Sequence, residues 1–247
     1  MKKRIQKLKE AFRAAKRGDK IWGGVLAVIS IGLLIPATRA EFVRLTTGYP
    51  YLMSFVKFAV LATMGELLAV RILSGQWSKP KGFLAKACIW GVFGMVIGLM
   101  FGVFNGGAKA VIAAGLLPGG EGALNSFLVA FYTSFIMNIS FGVVMMGSHR
   151  VSDTWVDRRV DRVEGARGLD LIGSIKAVDW IGYISFAVLK TVPLFWIPAH
   201  TLVFLLPPAY RVLVAAYLSI VLGAMMAYVK RQAQVKAAAE NNDTPSA

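Results

Sequence analysis

The feature that most constrains this chain is a succession of apolar runs, each long enough to cross a hydrocarbon core about 30 Å thick. Hydropathy predicts spans at 21–37, 51–73, 83–104, 124–147, 180–206 and 209–229. In lipid, every backbone N–H and C=O must be paired within its own segment, so runs of this kind fold as helices. The expected fold is all-α: a polytopic integral membrane helix bundle of about six transmembrane helices. It comprises a basic tail at 1–20, the bundle at 21–230 and a polar C-terminal tail at 231–247. A rival reading takes 21–37 as the apolar region of a signal peptide, with a weak cleavage site at Thr38-Arg39-Ala40. Residues 110–117 are too short to span. Flanked by Gly106, Gly107, Pro118, Gly119 and Gly120, they read as a re-entrant or interfacial turn.

Composition agrees. Apolar residues make up 56% of the chain, above the roughly 45–50% of soluble domains. The net charge of +15 would suggest nucleic acid in a soluble protein, but here the bases gather at segment ends. With the N-terminus inside, the cytoplasmic side collects nine Lys and Arg in the tail. It adds four at Arg71, Lys79, Lys81 and Lys86, six between Arg150 and Lys176, and three at Lys230, Arg231 and Lys236. The opposite side holds Arg39, Arg44, Lys109 and Arg211. This imbalance predicts that both termini are cytoplasmic. Ile5, Leu8, Phe12 and Ala15 share one face of a basic helix, a pattern suited to anionic lipid head groups. No nucleic-acid partner is expected. The single cysteine, Cys88, lies in an apolar run, and His149 and His200 lack ligand-like spacing, so neither a disulfide, a metal site nor another cofactor is expected. Hydrolase, metalloprotease and phosphate-loop signatures are absent, and the chain does not read as an enzyme.

Charges inside the spans carry the functional signal. A carboxylate at mid-bilayer costs about 2.5–3.5 kcal/mol on insertion scales, so Glu66 is expected to face a bundle interior or a wet cavity and to have a partner. Lys57 lies nine residues earlier, on the opposite face of the same helix. Depth counted along the helices predicts a Glu66–Lys190 pair with Asn138 beside it, and Lys57 with His200 toward the outer side. Together these five residues are the expected polar constriction. Pro193 and Pro198 interrupt the fifth span and mark a kink or gate. Gly94, Gly98 and Gly102 repeat every four residues and predict close helix approach. Residues 148–176 read as the fourth helix continuing into the cytoplasm as an ion-paired helix, broken at Gly165-Ala166-Arg167-Gly168.

Two stretches resemble the Mpv-seventeen family of small membrane proteins of peroxisomes and the mitochondrial inner membrane, which has bacterial members. Tyr49-Pro50 followed by Gly65-Glu66 is similar to that family's His/Tyr-Pro start of a helix with Gly-Asp at the same spacing. Phe195-Trp196-Ile197-Pro198-Ala199, then Pro207-Pro208-Ala209-Tyr210-Arg211, is similar to its Trp-Pro-Ala run followed by Pro-x-x-Tyr-Arg. The resemblance covers roughly 49–230, with 21–37 as an added span. It implies a multi-span bundle associated with passage of small solutes, and a bacterial cytoplasmic membrane as the location.

The leading functional expectation is a channel or permeation pathway for a small water-soluble solute, with self-association into a homo-oligomer left open. Two alternatives stand beside it: a non-transporting membrane scaffold or assembly factor, and a proton-coupled carrier using Glu66.

Overall fold

The computed structural model describes residues 16–161 and 170–242. Most of the basic tail, the glycine break at 165–168 and residues 243–247 lie outside the described residues. All regular structure among them is helical. Five helices are long and apolar enough to cross a membrane, or six if one bent pair counts as a single span. The protein is therefore an all-α, multi-pass membrane bundle. Contacts divide the chain into two units, 1–48 and 49–247.

The first unit holds α1 (Arg17–Gly32) and α2 (Pro36–Gly48), bent by 87° at the break between them. The expected straight span over 21–37 is thus corrected. Pro36 disfavours helical backbone at the residue before it, and the chain turns there to start a new helix. Within this unit α1 buries no residue, and its Ile21, Val28 and Ile31 are exposed.

The second unit contains α3 (Pro50–Ser74), α4 (Phe83–Ala113), α5 (Gly122–Val160), α6 (Leu171–Ala177), α7 (Trp180–Leu205) and α8 (Pro208–Asn242). Helix α3 is central, with its largest contacts to α4 on one side and α8 on the other. Helix α5 packs on α4 and on the last nine residues of α7. The interior carries small and hydroxylated residues, among them Ser54, Thr63, Thr133, Ser134 and Thr201, whereas Val56, Val60, Val92, Leu99 and Val103 face outward. That distribution suits lipid, where close van der Waals contact and interhelical hydrogen bonds, rather than water exclusion, join helices.

Glycines set two of the approaches. A Cβ on Gly65 would lie 3.1 Å from the Cα of Ile220, so α3 and α8 meet backbone to backbone. A Cβ on Gly94 would lie 2.5 Å from the Ser54 carbonyl oxygen, and one on Gly98 would lie 2.6 Å from Ser54 Oγ. Gly102, the third of that stripe, has nothing within 4 Å of such a Cβ. The α3–α4 contact therefore ends before Gly102.

Two boundaries differ from the sequence reading, those of α4 and α8, while the continuation of α5 past Gly147 agrees with it. Helix α4 runs on to Ala113 and absorbs the start of 110–117, leaving a loop with Gly115 at φ 72° instead of a re-entrant helix. Helix α5 continues unbroken to Val160, through a π-helical turn at Asn138–Gly142. Helix α8 extends to Asn242, well into the expected polar tail. Pro193 and Pro198 do not snap α7. Tyr183–Trp196 winds as a π-helix, and Pro198 falls in the first turn of the resumed α-helix, where a missing N–H costs little.

Candidate functional site

The buried polar side chains of the bundle fall into three levels. The first lies at the lysine-rich end, where α3 hands over to α4. Trp90 Nε1 donates a 2.6 Å hydrogen bond to Glu66 Oε1. The Trp90 ring lies against the His149 imidazole, centroids 3.9 Å apart and planes 36° from parallel. His149 and Asp153 are one helical turn apart on α5, with Nδ1 and Oδ2 3.7 Å from each other. Lys86 reaches from α4 to Asp157 at 3.0 Å and stands 3.9 Å from Asp153 Oδ1. One ligand-type atom each from Glu66, His149 and Asp153 lies within 4.8 Å of the others. Three carboxylates, one imidazole and one ammonium thus converge from three helices.

Two atoms in this cluster are buried with no hydrogen-bond partner: His149 Nε2 and Asp153 Oδ1. Buried polar atoms are paired in the great majority of cases, so two orphans side by side are unusual.

The second level is paired except for Trp196 Nε1, which is buried with no hydrogen-bond partner. Asn138 Nδ2 donates to the Ser134 carbonyl at 2.7 Å, which leaves Oδ1 to accept from His200 Nδ1 at 3.1 Å. That assignment makes Nδ1 the protonated nitrogen of His200. Ser134 Oγ and Thr201 Oγ1 both donate to the Ile197 carbonyl, each at 2.7 Å. Trp196 stacks on His200, centroids 5.0 Å apart. Asn138 lies eleven residues before His149 on α5, roughly 16 Å along the axis at 1.5 Å per residue.

The third level lies farther on. Arg211 Nη1 donates to Asn105 Oδ1 at 3.3 Å, and Asn105 donates to Thr133 at 3.3 Å. Arg211 Nε also donates to the Leu206 carbonyl at 2.9 Å, closing the Pro207–Pro208 turn between α7 and α8.

The expected constriction is therefore distributed differently. Glu66 pairs with Trp90, not with Lys190. Lys190 is exposed on α7, its ammonium 6.0 Å over the Phe186 ring. Its expected partner was chosen by depth at α-helical rise, whereas Tyr183–Trp196 winds as a π-helix with i→i+5 bonding. Asn138 meets His200 instead of Glu66. Lys57 is buried as well, 5% exposed, although it lies opposite Glu66 on α3. Both faces of α3 meet protein because the helix is sandwiched. Pro50 opens α3, and Gly65 rather than Glu66 touches α8.

Sequence reasoning missed Trp90, Lys86, Asp153 and the role of His149. His149 and Asp153 are four apart, a legible one-face spacing, but Glu66 joins them only through the fold. On the other face of α5, 200° round from that pair, a cavity of about 710 Å³ is lined by Val143, Gly147, Val151, Trp155, Trp180 and Tyr183.

No family model, no curated protein and no solved structure matches this chain.

Proposed function

We propose that this membrane protein gives a small water-soluble solute a passage across the bilayer, with Glu66 at its cytoplasmic mouth. The observation that carries the reading is the staircase of buried and half-buried polar side chains through the bundle: Glu66–Trp90–His149, then Asn138–His200, then Thr133–Asn105–Arg211. Polar and ionisable groups are expensive inside a membrane and are retained where a polar path needs them. The resemblance to the Mpv-seventeen family in 49–230 supports the same class of activity. The uneven lysine and arginine count supports a cytoplasmic location for the Lys86–Asp157 end.

The test is solute uptake into proteoliposomes together with currents in planar bilayers. Glu66→Gln keeps an acceptor for Trp90 and removes the charge. It should lower flux at least tenfold while the protein remains monodisperse on size exclusion. Unchanged flux from the folded variant takes Glu66 out of the path.

The cluster also favours a second reading, a proton-coupled carrier. Glu66, His149 and Asp153 are three proton-exchanging groups within 4.8 Å. Uptake that saturates with solute and is driven by a pH gradient selects the carrier. Uptake that is linear in concentration and indifferent to the gradient selects the channel.

A further inference from the structure

We infer that Glu66, His149 and Asp153 form a binding site for one first-row divalent cation of the Mn²⁺ or Zn²⁺ type. The inference stands apart from solute passage, since a site of this kind can exist in a channel, a carrier or a scaffold.

The donor set comes first. One imidazole and two carboxylates offer three ligand atoms already within 4.8 Å of one another. Around an ion with bonds of about 2.0–2.2 Å, neighbouring ligands stand roughly 3 Å apart. Imidazole with carboxylates suits Zn²⁺, Fe²⁺ and Mn²⁺ better than Ca²⁺, which prefers an all-oxygen shell.

The orphaned atoms come second. His149 Nε2 and Asp153 Oδ1 are buried and unpartnered in the same cluster. A purely structural ion-pair network would be expected to satisfy them. A bound ion is one partner that such atoms accept.

Charge comes third. Glu66, Asp153 and Asp157 face a single ammonium, Lys86, which sits closer to Asp157 (3.0 Å) than to Asp153 Oδ1 (3.9 Å). A divalent ion at Asp153 leaves Lys86 to Asp157 and brings the cluster to neutrality. The supporting shell is present too. Trp90 holds Glu66 Oε1 by a 2.6 Å hydrogen bond, which fixes the carboxylate and leaves Oε2 for an ion. The Trp90 and Phe93 rings, 3.9 and 5.6 Å from the imidazole by centroid, fix the plane of His149.

The experiment uses the full chain without a histidine tag, stripped with EDTA and placed in lipid nanodiscs. Mn²⁺ and Zn²⁺ are titrated separately by calorimetry. One ion per chain should bind, and His149→Ala, Asp153→Asn and Glu66→Gln should each weaken binding at least tenfold. His200→Ala, which removes the other histidine, should leave affinity unchanged. The wild-type protein alone supplies a readout that needs no folded variant: pulsed EPR of bound Mn²⁺ should show ¹⁴N coupling to one imidazole. Failure of the wild type to saturate, equal weakening by His200→Ala, or an all-oxygen Mn²⁺ spectrum overturns the site. Because affinity is read without any flux, its failure is distinct from failure of the passage.

Discussion

The Glu66–His149–Asp153 cluster and the Asn138–His200 junction are both buried polar contacts between helices, yet they are built on opposite plans. At the junction every donor named has an acceptor: the Asn138 amide, the His200 Nδ1–H, and the hydroxyls of Ser134 and Thr201. In the cluster, two buried atoms have none, and charge is unbalanced. A satisfied network rigidifies and specifies one arrangement of helices, whereas a partly satisfied one is paid for elsewhere. The difference teaches that buried polarity alone does not mark a path or a site.

Replacing one member of each region should separate them most strongly. Asn138→Leu strands the His200 Nδ1–H and loses one of the α5–α7 hydrogen bonds, at a cost of about 1–3 kcal/mol. His149→Leu removes no hydrogen bond and keeps apolar bulk against Trp90, so it should cost less than about 1 kcal/mol. Thermal melts in one detergent, read by loss of the monodisperse peak, measure both. Equal destabilisation would make the cluster a structural brace and erase the contrast.

An effect of similar size separates the glycines of α4. Gly94→Val drives a side chain into the Ser54 backbone and Phe58, whose positions are set by the α3 helix. Overpacking of this sort costs about 1–3 kcal/mol. Gly102→Val meets open space and should fall within about 0.5 kcal/mol of the parent. The same melts compare the two, and a Gly102 variant as damaged as the Gly94 one would move the α3–α4 contact further along the helix.

What was legible in the sequence follows the same division. Helix identity was legible because an apolar run of about 20 residues has one stable form in lipid. Glu66 stood out because a carboxylate within such a run is costly. Its partner was not legible. Depth was counted from the apolar limits of each run, and α5 past Gly147 was read as a cytoplasmic continuation, yet it still faces α4 there. That carries His149 and Asp153 to the level of Glu66. Asn138 and His200 were both recognised as polar positions, but assigned to different levels. Lys190 was misplaced because its segment winds as a π-helix, a local choice that hydropathy does not encode. The break in 21–37 was visible as Pro36, yet the 87° turn is a three-dimensional consequence of it.

The smallest effect expected concerns the polar end of α5, outside the spans. Asp170 caps α6, accepting from the Gly173 N–H at 2.9 Å, and takes a 2.8 Å hydrogen bond from Arg158 of α5. The Arg158 hydrogen bond first, and then the Gly173 N–H, hold its carboxyl below the ordinary value of 3.8. A lowered carboxyl contributes stability that is complete above the ordinary value and is lost as pH falls through the lower one. The α5–α6 connection should therefore hold at neutral pH and loosen only below about pH 4. Hydrogen exchange of the α6 amides from pH 5 downward, corrected for intrinsic rates, reads this directly. Asp170→Asn should flatten the pH dependence, because a neutral amide keeps a weaker cap and gives up the ion pair. If the variant keeps the full acid response, the titrating group lies elsewhere, and the paired region around Arg158 is not the one that anchors α6.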